Sequence, residues 1–292
     1  MVKVAVLMRT MNSSWVLPQT LAALFSQQNI KFKLYVVDSG STDNTISILD
    51  NYPHHRLEMK VKNYVPGPVL NDCIEQIKES IIIMLNSDSV LLGPNSLYEL
   101  LLPLENSTNF IATVGRQLPR HDAEPWVRRD YNIAFPPNHP LPSFISLSFP
   151  LSAFRKSVWQ KEKFYDKSWG SEDTEWGQRI TDKKHGKIEY VPTATTMHSH
   201  NYNFKELHNR KFIEGEADFF IYNKSPNIME MFIQYLKRSI SEFIYYTRNY
   251  HFQGLPKIFI RNLFYFLGYY KGLRSARDRS LKNINQLVHK QY

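Results

Sequence analysis

Lys33-Leu-Tyr-Val-Val-Asp-Ser-Gly-Ser-Thr-Asp-Asn-Thr45 runs from an apolar, β-branched segment straight into a polar turn. Lys33–Val37 reads as a strand. Asp38-Ser-Gly-Ser-Thr-Asp43 has turn chemistry, and Asp43–Asn51 reads as a helix entered through a capping side chain. The segments on either side repeat the pattern. Val4–Met8 is a short strand, followed by Arg9-Thr-Met-Asn12 and a helix over Leu17–Ser26. Ile81–Leu85 is apolar at every position and is followed by Asn86-Ser-Asp-Ser89. Apolar strands alternating with helices predict an α/β fold, with a mainly parallel sheet covered on both faces. Ligands of such sheets bind beyond the carboxyl ends of the strands. All three polar clusters fall at that edge.

The remaining elements are read outward from this core. Residues 59–62 form a short strand, Val65-Pro-Gly-Pro68 a loop, and Asn71–Lys78 a helix. Phe135–Pro142 is an ordered proline-rich loop, and Phe144–Phe149 a strand. Ser171–Lys184 is a helix and Lys187–Val191 a further strand.

Composition narrows the function classes. Hydrophobic residues make up 42% of the 292 positions and charged residues 22%, which excludes wholesale disorder. Cys73 is the single cysteine, so a disulfide framework within one chain is excluded and a reducing compartment is expected. The start has no secretory signal pattern, and no run of about 18 apolar residues suggests a membrane span. Lys224–Tyr292 holds 12 Lys and Arg against 3 Asp and Glu, which is the whole net charge of +9. The body is therefore neutral. A neutral body and an apolar tail face argue against nucleic acid as the partner.

Each polar cluster has a plain structural reading as a turn or cap, but three at one ligand-binding edge favour a site. Asp88, just past a buried strand, suits a divalent ion bridging a diphosphate, which needs only one or two carboxylates. Ser171-Glu-Asp-Thr-Glu-Trp-Gly-Gln-Arg179 reads either as an N-cap with a favourable acidic first turn or as the seat of a general base. Trp169 and Trp176 flank it as an apolar wall or as core. His198 and His200 alternate after a strand and share one side of an extended chain. With a carboxylate they favour Mn²⁺ somewhat over Mg²⁺.

Val36-Val-Asp-Ser-Gly-Ser-Thr-Asp-Asn-Thr45 also resembles the nucleotide-binding segment of glycosyltransferase family 2, whose fold is GT-A, a Rossmann-like sheet with flanking helices. Asn86-Ser-Asp88 is similar to that family's Asp-X-Asp motif, with Asn in the first place. Glu172-Asp173 resembles its Glu-Asp motif. Gly115-Arg-Gln-Leu-Pro119 with Asp122-Ala123, Glu172-Asp-Thr-Glu-Trp176, and Tyr190-Val-Pro-Thr-Ala194 leading to His198-Ser-His-Asn-Tyr202 are similar to bacterial rhamnosyltransferases. The resemblance covers about residues 1–220. It implies an inverting transferase in which Thr10, Asn12, Asp38, Asn86 and Asp88 hold the nucleotide-sugar. Asp88 and His198, or alternatively His200, would bind Mn²⁺ or Mg²⁺, and Asp173 would take the acceptor proton. Trp169, Glu172, Arg116 and Arg179 are candidate acceptor or phosphate contacts, with a surface or structural role the favoured reading for the two arginines. The implied donor is dTDP-L-rhamnose and the implied acceptor a surface polysaccharide or lipid-linked glycan. A UDP- or GDP-sugar donor and a non-catalytic sugar-nucleotide-binding protein are the alternatives.

The domain division expected is a GT-A unit over 1–223 and a basic, aromatic helical tail over 224–292. Ile228–Arg248 has a helical period with a broad apolar face. Pro256 opens a second helix, apolar on nearly every side and broken only by Arg261 and Asn262. Such helices suit an anionic membrane surface, so the expected location is cytoplasmic, peripheral on the inner face of the plasma membrane. The alternative is that they pack on the body or on a second copy.

Overall fold

The computed structural model describes residues 3–59, 64–138, 140, 142, 144–166 and 170–281. Strands β1 (Val4–Thr10), β2 (Phe32–Asp38) and β3 (His55–Arg56) are separated by helices α1 (Leu17–Phe25) and α2 (Thr45–Leu49). Helix α3 (Pro66–Gln76) leads to β4 (Ile81–Leu85), the two-residue β5 (Val90–Leu91), α4 (Ser96–Asn106) and β6 (Phe110–Leu118). Then follow α5 (Pro125–Ala134), β7 (Leu151–Arg155), α6 (Lys156–Lys161), α7 (Glu172–Asp182) and β8 (Lys187–Met197). Three helices close the chain, α8 (Phe204–Ile221), α9 (Ile228–Arg248) and α10 (Lys257–Leu281).

One eight-stranded sheet has the order β3-β2-β1-β4-β7-β6-β8-β5. The four strands β3, β2, β1 and β4 are mutually parallel. β7 is antiparallel to β4 and β6, and β5 to β8, so the other six strands point one way. The mixed α/β architecture with covered faces is the expected one. Alternation explains the covering. Val4, Val6 and Met8 pack on one face with Leu17, Leu21, Leu97 and Leu100, while Ala5 and Leu7 pack on the other with Val69, Cys73, Trp159 and Trp176.

Two expected elements differ. Val65–Pro68 is not a loop, because Pro66 occupies the first turn of α3, where its missing N–H costs nothing. Phe144–Phe149 is not a strand. Its side chains Leu147 and Phe149 are buried, but the Phe149 N–H goes to the Asp173 carboxylate and the Ser148 carbonyl to the Ser152 hydroxyl, leaving no ladder. Pro150 then forces the turn into β7. Residues 60–62 of the short strand expected at 59–62 lie outside the described residues; Met59 is not in a strand.

The tail packs on the body. α10 lies against α8 at backbone contact. A Cβ at Gly268 would overlap the His208 carbonyl, and one at Gly272 the Phe212 carbonyl. α9 meets α5 and α10 through polar groups. Arg238 pairs with Asp130 on α5 at 2.6 Å, and Arg261 pairs with the fully buried Glu242 at 2.5 Å. Asn262 donates to Ser239 at 3.2 Å, and the Arg261 guanidinium lies over Trp126 at 5.4 Å. Arg261 and Asn262, read from sequence as breaks in a surface-lying helix, are thus interior. The exposed apolar face is that of α9, with Met229, Phe232, Ile233, Leu236, Ile240 and Phe243, continued by Phe259 and Ile260. Among the described residues no helix is long and apolar enough to cross a membrane.

Gly272→Val sets two methyl groups against the α8 backbone, and overpacking of this kind costs about 1–3 kcal/mol. The expected result is a lower urea midpoint at unchanged slope. Wild-type stability in that variant would mean that α8 and α10 separate in solution.

Candidate active site

A cavity of about 1090 Å³ opens at the carboxyl edge of the sheet. Thr10, Asn86, Asp88, Glu172, Asp173, His198 and His200 all line it. Residues far apart in sequence therefore meet on one wall or another of a single space.

Asp88 reaches the histidines through β5. Val90 pairs with Met197 and Leu91 with Thr196, antiparallel. Continuing that register backward brings position 88 opposite 199, so Asp88 faces the neighbours His198 and His200. Asp88 Oδ2 lies 3.2 Å from His200 Nε2 and 3.6 Å from His198 Nε2. One ligand atom from each residue lies within 4.8 Å of the others, a separation a single cation can span. His198 Nδ1 lies 3.1 Å from Gln117 Oε1, an amide oxygen that can only accept. The proton is therefore on Nδ1, and Nε2 offers its lone pair to the cluster, the arrangement metal-binding histidines use. The Tyr131 hydroxyl adds a contact to Nδ1 at 3.3 Å. Burial holds the His198 pKa down at about 4, against the pull of Asp88. Burial alone would raise Asp88, but the hydrogen bond from His200 and the two histidine charges bring it to about 2. A neutral imidazole beside an ionised carboxylate is a donor set that suits Mn²⁺, and Mg²⁺ less well. Both histidines face Asp88, so the choice between them is not forced.

Asp173 lines the same cavity from the first turn of α7. Ser171 does not cap this helix. It takes φ +58°, and its side chain accepts no helix N–H. Asp173 is instead held by the Phe149 N–H at 3.1 Å on Oδ2 and the Thr174 N–H at 2.8 Å on Oδ1. Burial first, and the neighbouring Glu172 second, push its pKa up to about 6, against those N–H groups and Arg9. Glu172 is paired with Arg9 at 2.6 Å. Arg9, at the end of β1, had no assigned role in the sequence reading.

The Asp38 turn forms as expected, with Gly40 at φ +102°, a conformation L side chains rarely adopt. Its Asp38 carboxylate accepts from Gly40 N, Ser41 N and Ser41 Oγ, and the Asn12 side chain accepts from Thr42 N at 2.8 Å. Neither Asp38 nor Asn12 lines the cavity; Ser39 and Thr10 do. Thr10 Oγ1 is buried without a protein partner. Arg116 donates to the Phe135 carbonyl, and Arg179 pairs with Glu175 and Glu162. Both are structural here, and neither lines the cavity. Trp169 lies outside the described residues, and Trp176 is core. Trp15, Trp126, Tyr131 and Arg210 line the cavity without having been singled out, and Gln117 and Tyr202, quoted only within longer motifs, line it too. The Asn203-x-x-Glu206 capping box, present in the structure, was the available signal for α8 and hence for Arg210.

Gln117→Leu removes the acceptor that orients His198. Loss of such outer partners lowers metal affinity about 10–100-fold. Titration of the apoprotein with Mn²⁺, read by calorimetry, is expected to show this drop in Gln117→Leu and a larger one in Asp88→Ala. Equal affinity in all three proteins would exclude a metal from this cluster.

The glycosyl transferase family 2 profile matches residues 5–162. The chain is 25% identical to an O-antigen chain rhamnosyltransferase of Salmonella anatum, over 89% of this chain and 93% of the relative. It is 23% identical to a second O-antigen chain rhamnosyltransferase, from Salmonella typhimurium, over 96% of this chain and all of that one. Among solved structures it resembles a mannosyltransferase of Pyrobaculum calidifontis in complex with GDP-Man and Mn²⁺. The TM-score is 0.55 at 14% identity, over 73% of this chain and 61% of that one. Family match, GT-A-like sheet and a cavity at its carboxyl edge agree, and the chain belongs to glycosyl transferase family 2.

Proposed function

We propose that this glycosyltransferase moves L-rhamnose from dTDP-L-rhamnose, with inversion, onto a hydroxyl of a bacterial surface polysaccharide or lipid-linked glycan. One observation carries the reaction type. A carboxyl group of raised pKa, Asp173, and the Asp88–His198–His200 cluster line a single cavity. Transfer by inversion needs a base on the acceptor side of the anomeric carbon and charge stabilisation on the leaving-group side. In this reading Asp173 supplies the first and the Asp88–His198–His200 cluster the second. Similarity to two rhamnosyltransferases supports the sugar. A GDP- or UDP-sugar on the same site is the second reading, favoured by the GDP-Man in the Pyrobaculum structure.

In this reading the acceptor hydroxyl gives its proton to Asp173, and its oxygen bonds to the anomeric carbon as the diphosphate departs. The N–H groups of Phe149 and Thr174 keep the carboxylate oriented. Arg9 holds the neighbouring Glu172 in an ion pair. Asp88 with His198 and His200 would hold Mn²⁺ or Mg²⁺, which when bound offsets charge on the donor diphosphate. Thr10, Ser39 and Asn86 line the donor side, and Asn12 and Asp38 shape the turn behind it.

The outward face of α9 supports a peripheral seat on an anionic membrane at the inner face of the plasma membrane. Its apolar residues form a face on the part of the chain that holds all the net positive charge. Apolar burial plus attraction of about 1 kcal/mol per basic residue suits such a surface. It would also bring a lipid-linked acceptor toward the enzyme.

Four measurements test this reading. With Mn²⁺ present, dTDP is expected to raise the melting temperature more than UDP or GDP; a larger rise with GDP would move the donor to the second reading. Asp173→Asn is expected to lower kcat by about 10²–10⁴-fold while dTDP still binds. A base must be unprotonated, so kcat/KM is expected to fall with decreasing pH through about 6; a flat profile there would remove Asp173 as base. Full-length protein is expected to float with anionic vesicles, less at high salt, and Phe232→Glu with Ile240→Glu to abolish flotation. If those changes instead dissociate a dimer that never floats, the face belongs to a second copy.

A further inference from the structure

The cavity holds a cation that neither the sequence reading nor the proposed reaction uses. α8 presents Leu207, Arg210, Lys211 and Glu214 at helical spacing along its cavity side. Lys211 is turned back, paired with Glu214 and lying 4.4 Å over the Tyr265 ring of α10. Arg210 is different. Its side chain is 49% exposed, and it lines the cavity. Its Nε donates to Glu214 at 3.1 Å. Among the described residues its two terminal nitrogens have no protein partner, which leaves the open fork that binds phosphate oxygens in pairs.

Its charge reaches both halves of the site. It acts on His198 and Tyr131 beside the metal-type cluster, and on Asp173 and Glu172 on the base side. A cation that lines the same cavity as both halves is available to a diphosphate bound there. The helix that carries it is rigid. The Asn203–Glu206 capping box fixes the start of α8, and Gly268 and Gly272 of α10 clamp its backbone at His208 and Phe212, on either side of Arg210.

We propose that Arg210 binds the β-phosphate of the donor and stabilises the charge that develops there in the transition state. This rests on the glycosyltransferase reading above. As the C1–oxygen bond breaks, its electron pair moves to the bridging oxygen of the leaving diphosphate. The new bond forms from the acceptor oxygen, whose proton goes to Asp173. Arg210 stays protonated throughout and gives hydrogen bonds that strengthen as negative charge builds.

The test compares wild type, Arg210→Gln, Arg210→Lys and Glu214→Gln as full-length proteins with Mn²⁺. Calorimetry measures dTDP and dTMP, with UDP and GDP and their monophosphates alongside. Arg210→Gln is expected to weaken diphosphate binding about 10-fold or more and to leave monophosphate binding unchanged. Its kcat is expected to fall about 10²–10³-fold, with part regained in Arg210→Lys. Unchanged diphosphate binding in Arg210→Gln, or a change confined to the acceptor KM, would overturn the assignment. So would the same loss in Glu214→Gln, because the ion pair would then be what matters. A wild type that binds no nucleoside diphosphate overturns the donor reading and this inference together; the other outcomes overturn this inference alone.

Discussion

Two residues of β5, paired antiparallel with the end of β8, hold the site together. Asp88 and His198 are 110 positions apart, and nothing local brings them near. The pairing of Val90 with Met197 does so by register alone, because a shift of one residue would turn the side chains to opposite faces. So short a ladder needs support. The Thr196 hydroxyl donates to the Val90 carbonyl at 3.1 Å, Ser96 Oγ to the Thr195 carbonyl at 3.2 Å, and Leu92 N to the same carbonyl at 3.1 Å. β8 itself reaches that far by running parallel to β6, with an irregularity between Gly115 and Arg116 that takes up residues 192–194.

The carboxylates of the cavity show how environment assigns roles. Asp88 is held ionised by two histidines, Glu172 is paired with an arginine, and Asp173 is held by backbone N–H groups and the Thr174 hydroxyl with a carboxylate beside it. Burial raises the pKa of Asp173 toward the range where a base works, while Asp88 is held low. The same logic keeps His198 neutral while it lies beside an anion, because burial outweighs attraction.

The tail inverts the usual amphipathic arrangement. α9 turns Ser239, Glu242 and Arg238 inward, onto Asp130, Arg261 and Asn262, and leaves Phe232, Ile233 and Ile240 outward. A buried ion-pair network of this kind adds little net stability, yet breaking one partner is costly, so it fixes which face is inside. Arg238 also ties α9 to α5, whose Trp126, Val127 and Tyr131 line the cavity. The surface that would meet lipid and the wall that would meet substrate are therefore parts of one packed unit.

The sequence by itself determined the alternating α/β core, the Asp38 turn and the three polar clusters at one edge. These are local matters. Apolar runs, turn residues and caps act within a few positions, and β1, β2 and β4 appear where that chemistry puts them. It also marked Asp88, Asp173 and the two histidines, because each follows or opens a regular element. The helical period of Ile228–Arg248 was equally legible. Tertiary structure alone decided which faces and partners these elements took. Arg9 found Glu172, Arg238 found Asp130, and Arg210 entered the cavity through contacts between elements more than a hundred positions apart or from a helix whose direction is set by glycine packing on α10. Phe144–Phe149 had the apolar content of a strand, but its backbone groups were drawn to Asp173 and Ser152. Periodicity records which side of a helix or strand is apolar; what that side meets depends on the packing of the whole chain.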